Sequence, residues 1–198
     1  MLLLDDTTSA TIGEIYGGGF FAGTIRIGDH TYGLVVAPKH TGETAGTWGP
    51  DDLIDGATSF CDGLANTTAM SEAGSDVASW ARRLDISGHT DWYIPSRDEL
   101  EACYRNLKPT DDKNACWAGD NPSTGSYAYT LDIPAQTRLA HFQAGGSHAF
   151  DDAAYWTSTQ YAGGASCAWD QFFDSGCQYY YGKGYKGRVR AVRRFLID

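Results

Sequence analysis

Residues 169–188 read WDQFFDSGCQYYYGKGYKGR, and the hydrophobic period that a strand or a helix needs is missing from them. Tyr, Gly, Asp, Ser, Phe and Cys alternate irregularly. That mixture is the composition of a recognition surface: rigid aromatics give contact area at low entropy cost, and small polar residues adapt between them. The flanking segments, YWTSTQY before and RVRAVRRF after, have strand character. A variable binding surface held on a rigid scaffold is the expectation.

The rest of the composition narrows the classes. A chain of 198 residues is long enough for one sizeable domain and marginal for two. With no linker and no internal repeat in view, one domain over residues 1–198 is expected. Aromatic residues make up 13%, there are 24 glycines, and only 20% of residues are charged, which favours turns and sheet over a coiled coil or disorder. A formal net charge of −10 argues against general nucleic-acid binding, because phosphate contacts need clustered Lys and Arg. The one basic cluster, Arg188, Arg190, Arg193 and Arg194, is read as strand positions paired with carboxylates. Met1-Leu2-Leu3-Leu4 runs straight into Asp5-Asp6, giving neither a basic start nor an apolar stretch of signal-peptide length. No segment is long and apolar enough for a transmembrane helix, so no membrane insertion is expected. A soluble product, a virion component and a piece of a longer exported chain all fit.

The five cysteines, Cys61, Cys103, Cys116, Cys167 and Cys177, show no C-x-x-C and no zinc-type spacing. Cys61 and Cys103 are placed on apolar faces of helices, where a free thiol behaves as a small hydrophobe. A Cys103–Cys116 disulfide stays open as an alternative.

Residues 11–16, 20–27 and 31–37 read as a small antiparallel meander broken by Gly17-Gly18-Gly19 and Gly28-Asp29. The glycine triplet has no following Lys and no helix behind it, so it reads as a turn or bulge and not as a phosphate cradle. Three helices are predicted next. The first opens at Pro50-Asp51 and carries Leu53, Ala57, Phe60, Cys61 and Leu64. The second carries Val77, Trp80, Ala81 and Leu84 at helical spacing. The third follows Pro95 with a capping box of Ser96 and Glu99, and buries Leu100, Cys103, Tyr104 and Leu107 before Pro109 ends it. Residues 108–140 are loop-rich, and a stretch that long without a period is functional or hides short elements. Phe142 and Phe150 bracket a turn. Strands are expected near 154–161, 165–173 and 188–196, with a bulge where the alternation slips at Val192.

Several blocks in fixed order carry a resemblance. They are DWYIPSRDEL at 91–100, FQAGGS at 142–147, YWTSTQY at 155–161 and RVRAVRRF at 188–195. In these the chain resembles the C-type-lectin-fold variable proteins diversified by retroelements, found in phage tails and in some cellular surface proteins. The blocks cover about residues 90–195 well and 10–90 loosely. The resemblance implies an α+β C-type lectin fold, with small mixed antiparallel sheets, two to three helices and long loops. It also implies a variable region at about 158–187. In that family the variable segment is rewritten at template adenines, largely in AAC codons. These can become Tyr, Phe, Ser, Cys, Asp or Gly, among others, but not Lys, Gln, Glu, Met or Trp.

On the motif, the ligand-binding variable positions are Asp170, Phe172, Asp174, Ser175, Cys177, Tyr179, Tyr180, Tyr181, Gly182, Gly184, Tyr185 and Gly187. None of these twelve is an excluded type. Trp169, Gln171, Phe173, Gly176, Gln178, Lys183 and Lys186 are the constant spacers. Ala162, Gly163, Gly164, Ser166 and Cys167 form an upstream set that the resemblance also allows to vary. Random side chains are tolerated only where they point to solvent from a fixed backbone, so the variable positions are expected outside, with Trp156, Trp169, Phe173 and Val189 inside. Such a set is about half of one side of an interface of about 20–30 residues. Aromatic anchors among them can carry most of the binding energy. The expected partner is a protein or glycan on a target cell surface. The expected carrier is a virion tail or cell-surface assembly, in which several copies would add avidity. A homo-oligomer fits that setting.

Two other readings stay beside it. The formylglycine-generating enzymes share the broad fold and use cysteines near the C-terminal part, which draws attention to Cys167 and Cys177 as a cysteine oxidase pair. That chemistry needs an electropositive setting for the thiols. A calcium-dependent carbohydrate-binding lectin is the other. Trp169-Asp170 is similar to a calcium-binding strand of C-type lectins, and Asp111, Asp112, Asn114, Asp120 and Asn121 offer oxygen ligands in one loop. The spacing fits no ordered calcium loop, so no cofactor is expected, with structural calcium left open. His30, His40, His89, His141 and His148 are scattered without a metalloprotease or hydrolase motif, so no catalytic residue is assigned.

Overall fold

A computed structural model describes residues 10–198; the reading of residues 1–6 lies outside the described residues. The strands in chain order are β1 (Ile15–Tyr16), β2 (Gly19–Ile27), β3 (His30–Val36), β4 (Glu43–Thr47), β5 (Ala154–Gln160), β6 (Cys167–Phe172), β7 (Gln178–Gly182), β8 (Lys186–Arg190) and β9 (Val192–Leu196). The helices are α1 (Lys39–Gly42), α2 (Gly63–Glu72), α3 (Asp76–Arg82) and α4 (Arg97–Leu107). One sheet runs β1-β2-β3-β9 and the other β4-β8-β5-β6-β7. All pairs are antiparallel except β5 with β8, which meet in parallel at Tyr155 and Arg188. This is the α+β C-type lectin fold, with a fourth helix, of four residues, beyond the three expected.

The N-terminal hairpin forms because Phe20, Phe21, Ala22 and Ile25 of β2 and Leu34, Val35 and Val36 of β3 are all buried. The tight connection needs a left-handed residue, and Gly28 supplies it at φ +60°. Of the predicted strand at 11–16, only Ile15–Tyr16 pairs. α4 forms as its sequence dictates. The Ser96 hydroxyl accepts the Glu99 N–H at 3.4 Å while Glu99 Oε2 accepts the Ser96 N–H at 2.8 Å, satisfying two donors at the helix start. Leu100, Cys103, Tyr104 and Leu107 then enter the main core with Phe150, Tyr155 and Phe173.

Three expectations are corrected by longer-range contacts. The helix predicted from Pro50-Asp51 begins only at Gly63, with Asp62 as its cap. The segment before it bonds to the end of β5 instead: the Ile54 N–H donates to Gln160 Oε1 and the Gln160 N–H to the Ala57 carbonyl, while Gly56 sits at φ +87°. Leu53 and Phe60 are therefore exposed, and Cys61 lies in a half-buried loop. Residues 188–196 are not one bulged strand. The chain leaves one sheet at Arg190 and enters the other at Val192, with the Ala191 N–H donating to Gly42 and its carbonyl accepting from Ala37. The slip in alternation is that change of sheet. Finally, the tract without a hydrophobic period contains β7, an edge strand paired only with β6.

The basic cluster is paired as expected. Arg190 and Arg188 reach Glu43 at 2.6 and 3.0 Å, Arg188 also reaches Asp151, Arg193 reaches Asp91 at 2.7 Å and Arg194 reaches Asp62 at 2.8 Å. All five cysteines are free, so no Cys103–Cys116 bridge forms. Among the described residues, no helix is long and apolar enough to cross a membrane.

Candidate ligand-binding face

β6, edge strand β7 and the turn into β8 make one corner of the second sheet. Their register places Trp156, Asp170 and Tyr179 in a single cross-strand row, with Ala154 beside Phe172 and Ala168 beside Tyr181 in the neighbouring rows. Tyr179, Tyr181 and Tyr185 are 48%, 38% and 66% exposed. Their rings still touch one another. Tyr179 and Tyr181 meet at 5.7 Å between centroids, and Tyr181 and Tyr185 at 5.6 Å. Tyr180 is half-buried and continues the array, stacked 3.8 Å from Tyr161 and edge-on to Trp169. The result is a rigid aromatic face whose outer surfaces are open to solvent.

The framework behind it is closed. Gln171 and Phe173 are fully buried. Gly176 sits at φ +69°, and a Cβ there would come within 2.3 Å of the Tyr104 ring. Lys183 is fully buried; its amine donates to the Asp52 carbonyl and to Gln160 Oε1, both at 2.7 Å, and lies over the Trp48 ring. Burial holds that amine below the usual lysine range. Gln178 donates to the Arg97 carbonyl at 3.3 Å. By contrast, a Cβ on Gly182 or Gly184 would meet nothing within 4 Å, and both backbones suit any residue.

The twelve candidate positions do not all point outward. Gly184 is exposed and Gly182 open, like the three outer tyrosines. Asp174 and Ser175 are half-buried in the β6–β7 turn, where the Ser175 hydroxyl donates to Asp174 and the Ser175 carbonyl accepts from Ala115. Cys177 turns inward and packs against the main core. Gly187 lies under Trp156, and a Cβ there would come within 2.6 Å of its Nε1. Asp170 is only 3% exposed. Its row neighbour Trp156, together with Phe172, Tyr181 and Tyr185, walls a cleft of about 270 Å³ in which its carboxyl sits. Burial pushes that carboxyl up to about 7, moderated by the Asp170 and Tyr179 backbone N–H groups. Trp169, expected inside, is only half-buried; the Arg97 guanidinium lies 5.5 Å from its ring and 4.0 Å from that of Phe60.

A neighbouring cleft was not legible in the sequence. Trp117, from the long loop, faces Arg97, Trp169 and Gln178 across about 320 Å³. A tryptophan in an aperiodic loop, 77% exposed here, is the signal that could have found it. The loop itself is pinned from inside. Asn114 Oδ1 accepts from the Tyr104 hydroxyl and from the Lys108 amine, both at 2.8 Å, and the Asn121 amide donates to Glu101 Oε2 at 2.6 Å. These two amides, considered above as calcium ligands, are thus engaged with the fold. Cys167 and Cys177 are free and half-buried, and burial pushes the Cys177 thiol up, away from the thiolate that oxidation chemistry uses.

The fold is thus of the C-type lectin type, with an aromatic face on a closed framework. The model of the Lcl C-terminal domain family (Lcl_C) matches residues 43–193, and the chain belongs to that family. It is a family of binding-type domains, not of enzymes. Among solved structures, a fimbrial protein from Bacteroides ovatus ATCC 8483 is similar at 16% identity, with a TM-score of 0.46, over 82% of this chain and 36% of that one. The chain thus spans about a third of that protein's length. No curated protein matches the chain.

Proposed function

We propose that this chain is a non-enzymatic receptor-binding protein, acting as a single lectin-like domain. Its Tyr-rich face is a hypervariable surface written by a diversity-generating retroelement, and it attaches a virion tail or surface assembly to a protein or glycan on a target cell. The observation that carries this reading is the partition within residues 169–187. Tyr179, Tyr181, Gly184 and Tyr185 are exposed and Gly182 has room for a side chain, while Lys183 among them and Gln171, Phe173 and Gly176 before them are locked into the fold. Residues that are open on a fixed backbone can be exchanged without unfolding it. Clustered tyrosines give such a surface anchors. The reading needs no cofactor, and the upward shift of the Cys177 thiol favours it over a cysteine oxidase.

Labelled multimers of the chain, applied to protein and glycan arrays and to cells, test it. The wild-type chain is expected to mark a defined set of targets. The triple variant Tyr179→Ala, Tyr181→Ala, Tyr185→Ala is expected to lose all of them while melting within a few degrees of wild type. Unchanged binding by the triple variant would end this reading. Flanking DNA gives a second test: an imperfect copy of the segment encoding residues 156–194, differing at adenines and lying beside a reverse transcriptase gene.

A further inference from the structure

Asp170 is out of place on a surface built from tyrosine and glycine. It lines the cleft between Trp156, Phe172, Tyr181 and Tyr185 with 3% of its surface exposed, and its Oδ1 is buried with no hydrogen-bond partner. No cation of the described residues reaches it within 4.0 Å. A buried carboxylate left unpaired is unfavourable, and a positive charge delivered to it recovers the lost interaction. The walls favour the same ligand. Ring contacts run from Phe172 to Tyr181 at 6.3 Å and on to Tyr185 at 5.6 Å, and aromatic faces attract cations.

Resting on the binding role proposed above, we propose that this cleft takes the cationic end of a lysine or arginine side chain from a protein partner, with the Asp170 carboxylate as counter-ion and the rings as its cage. A cleft of about 270 Å³ is at the small end for a ligand site, which fits one side chain better than a whole ligand. Its apolar walls suit a methylene stem. A sugar ring would demand several polar partners, and the cleft offers chiefly Asp170, the tyrosine hydroxyls and Lys186. Lys186 also lines the cleft and carries the same sign of charge as an incoming cation. The other titratable groups near the carboxyl are Tyr179, Tyr181, Tyr185 and Cys177.

The test is a titration of the intact chain with methylguanidinium, n-butylammonium, neutral n-pentanol and glucosamine at pH 8, followed by NMR of the Tyr and Phe rings. Both alkyl cations are expected to bind and shift the cleft rings, with n-pentanol at least about tenfold weaker. Asp170→Asn is expected to lower cation affinity at least about tenfold, Phe172→Leu severalfold, and Lys186→Gln to raise it. Cation affinity is expected to fall as pH drops below about 7, where the carboxyl takes up a proton. Equal binding of n-pentanol, or full cation affinity in Asp170→Asn, overturns the proposal. A response to glucosamine alone overturns it in favour of an amino sugar. If the cations fail while the tyrosine triple variant still abolishes target binding, only this inference falls; if they bind while that variant keeps its targets, the broader reading falls.

Discussion

Two adjacent stretches, β7 with its following turn and β8 with β9, treat their side chains in opposite ways. In β8 and β9 every arginine is held by a carboxylate, and the Arg190–Glu43 pair is withdrawn from water almost entirely. In β7 and the turn, Tyr179, Tyr181 and Tyr185 touch one another and the rings of Tyr180 and Phe172, and Gly182 and Gly184 touch nothing within 4 Å of where a side chain would start. The first stretch sets where the backbone runs, since it ties β4, β8 and β9 across both sheets. The second exploits that placement. Under the proposed function, stability and recognition draw on different residues only a few positions apart, and that separation lets one be altered without the other.

The contrast is broken most forcefully from the β8 side. Glu43→Ala leaves the buried Arg190 guanidinium without its carboxylate, so chemical denaturation should register a loss of about 3–5 kcal/mol. A loss below about 1 kcal/mol would mean the arginines do not hold the framework. Asp170→Asn sharpens the contrast from the binding side, through pH. The folded carboxyl titrates at about 7, above its ordinary value of 3.8, so its charged form is penalised only in the native state. That penalty is absent only well below pH 3.8, grows as pH rises, and is complete above about pH 7. Asp170→Asn should therefore match wild type in stability near pH 3 and exceed it by about 2–4 kcal/mol at pH 8. An unchanging difference across that range would show that the carboxyl is not desolvated. The smallest effects lie in the glycines. Gly182→Ser and Gly184→Ser should each stay within about 0.5 kcal/mol of wild type. Gly187→Ser, which meets the Trp156 ring, should cost about 1–3 kcal/mol by thermal melts. Equal costs at all three positions would erase the partition.

Legibility in the sequence followed how local the causes were. α4 could be read because its capping box, apolar stripe and closing Pro109 all lie within its own span. The β2–β3 hairpin could be read for the same reason. α2 could not, since the side it buries is Gly63, Asn66, Thr67 and Met70. Hydrogen bonds such as Thr67 Oγ1 to the Ile94 carbonyl, and not an apolar stripe, hold it. β7 was hidden because an edge strand with aromatic residues on both sides shows no alternation. Tyr179, Tyr181 and Tyr185 are exposed as expected. Tyr180, expected outside with them, is half-buried against Tyr161 and Trp169. Asp170, Cys177 and Gly187 also differ from expectation, because cross-strand register and the Trp156 ring decide their surroundings, and neither is visible along the chain.

The central claim is that the outer residues of β7 and its turn can be replaced freely on a fixed framework. The most direct test is a displayed library with Tyr179, Tyr181, Gly182, Gly184 and Tyr185 randomised together, sorted by resistance to proteolysis. Most members should unfold within about 1 kcal/mol of the parent, with stability unrelated to which residues they carry. A library in which most members are cleaved as unfolded chains would contradict the account.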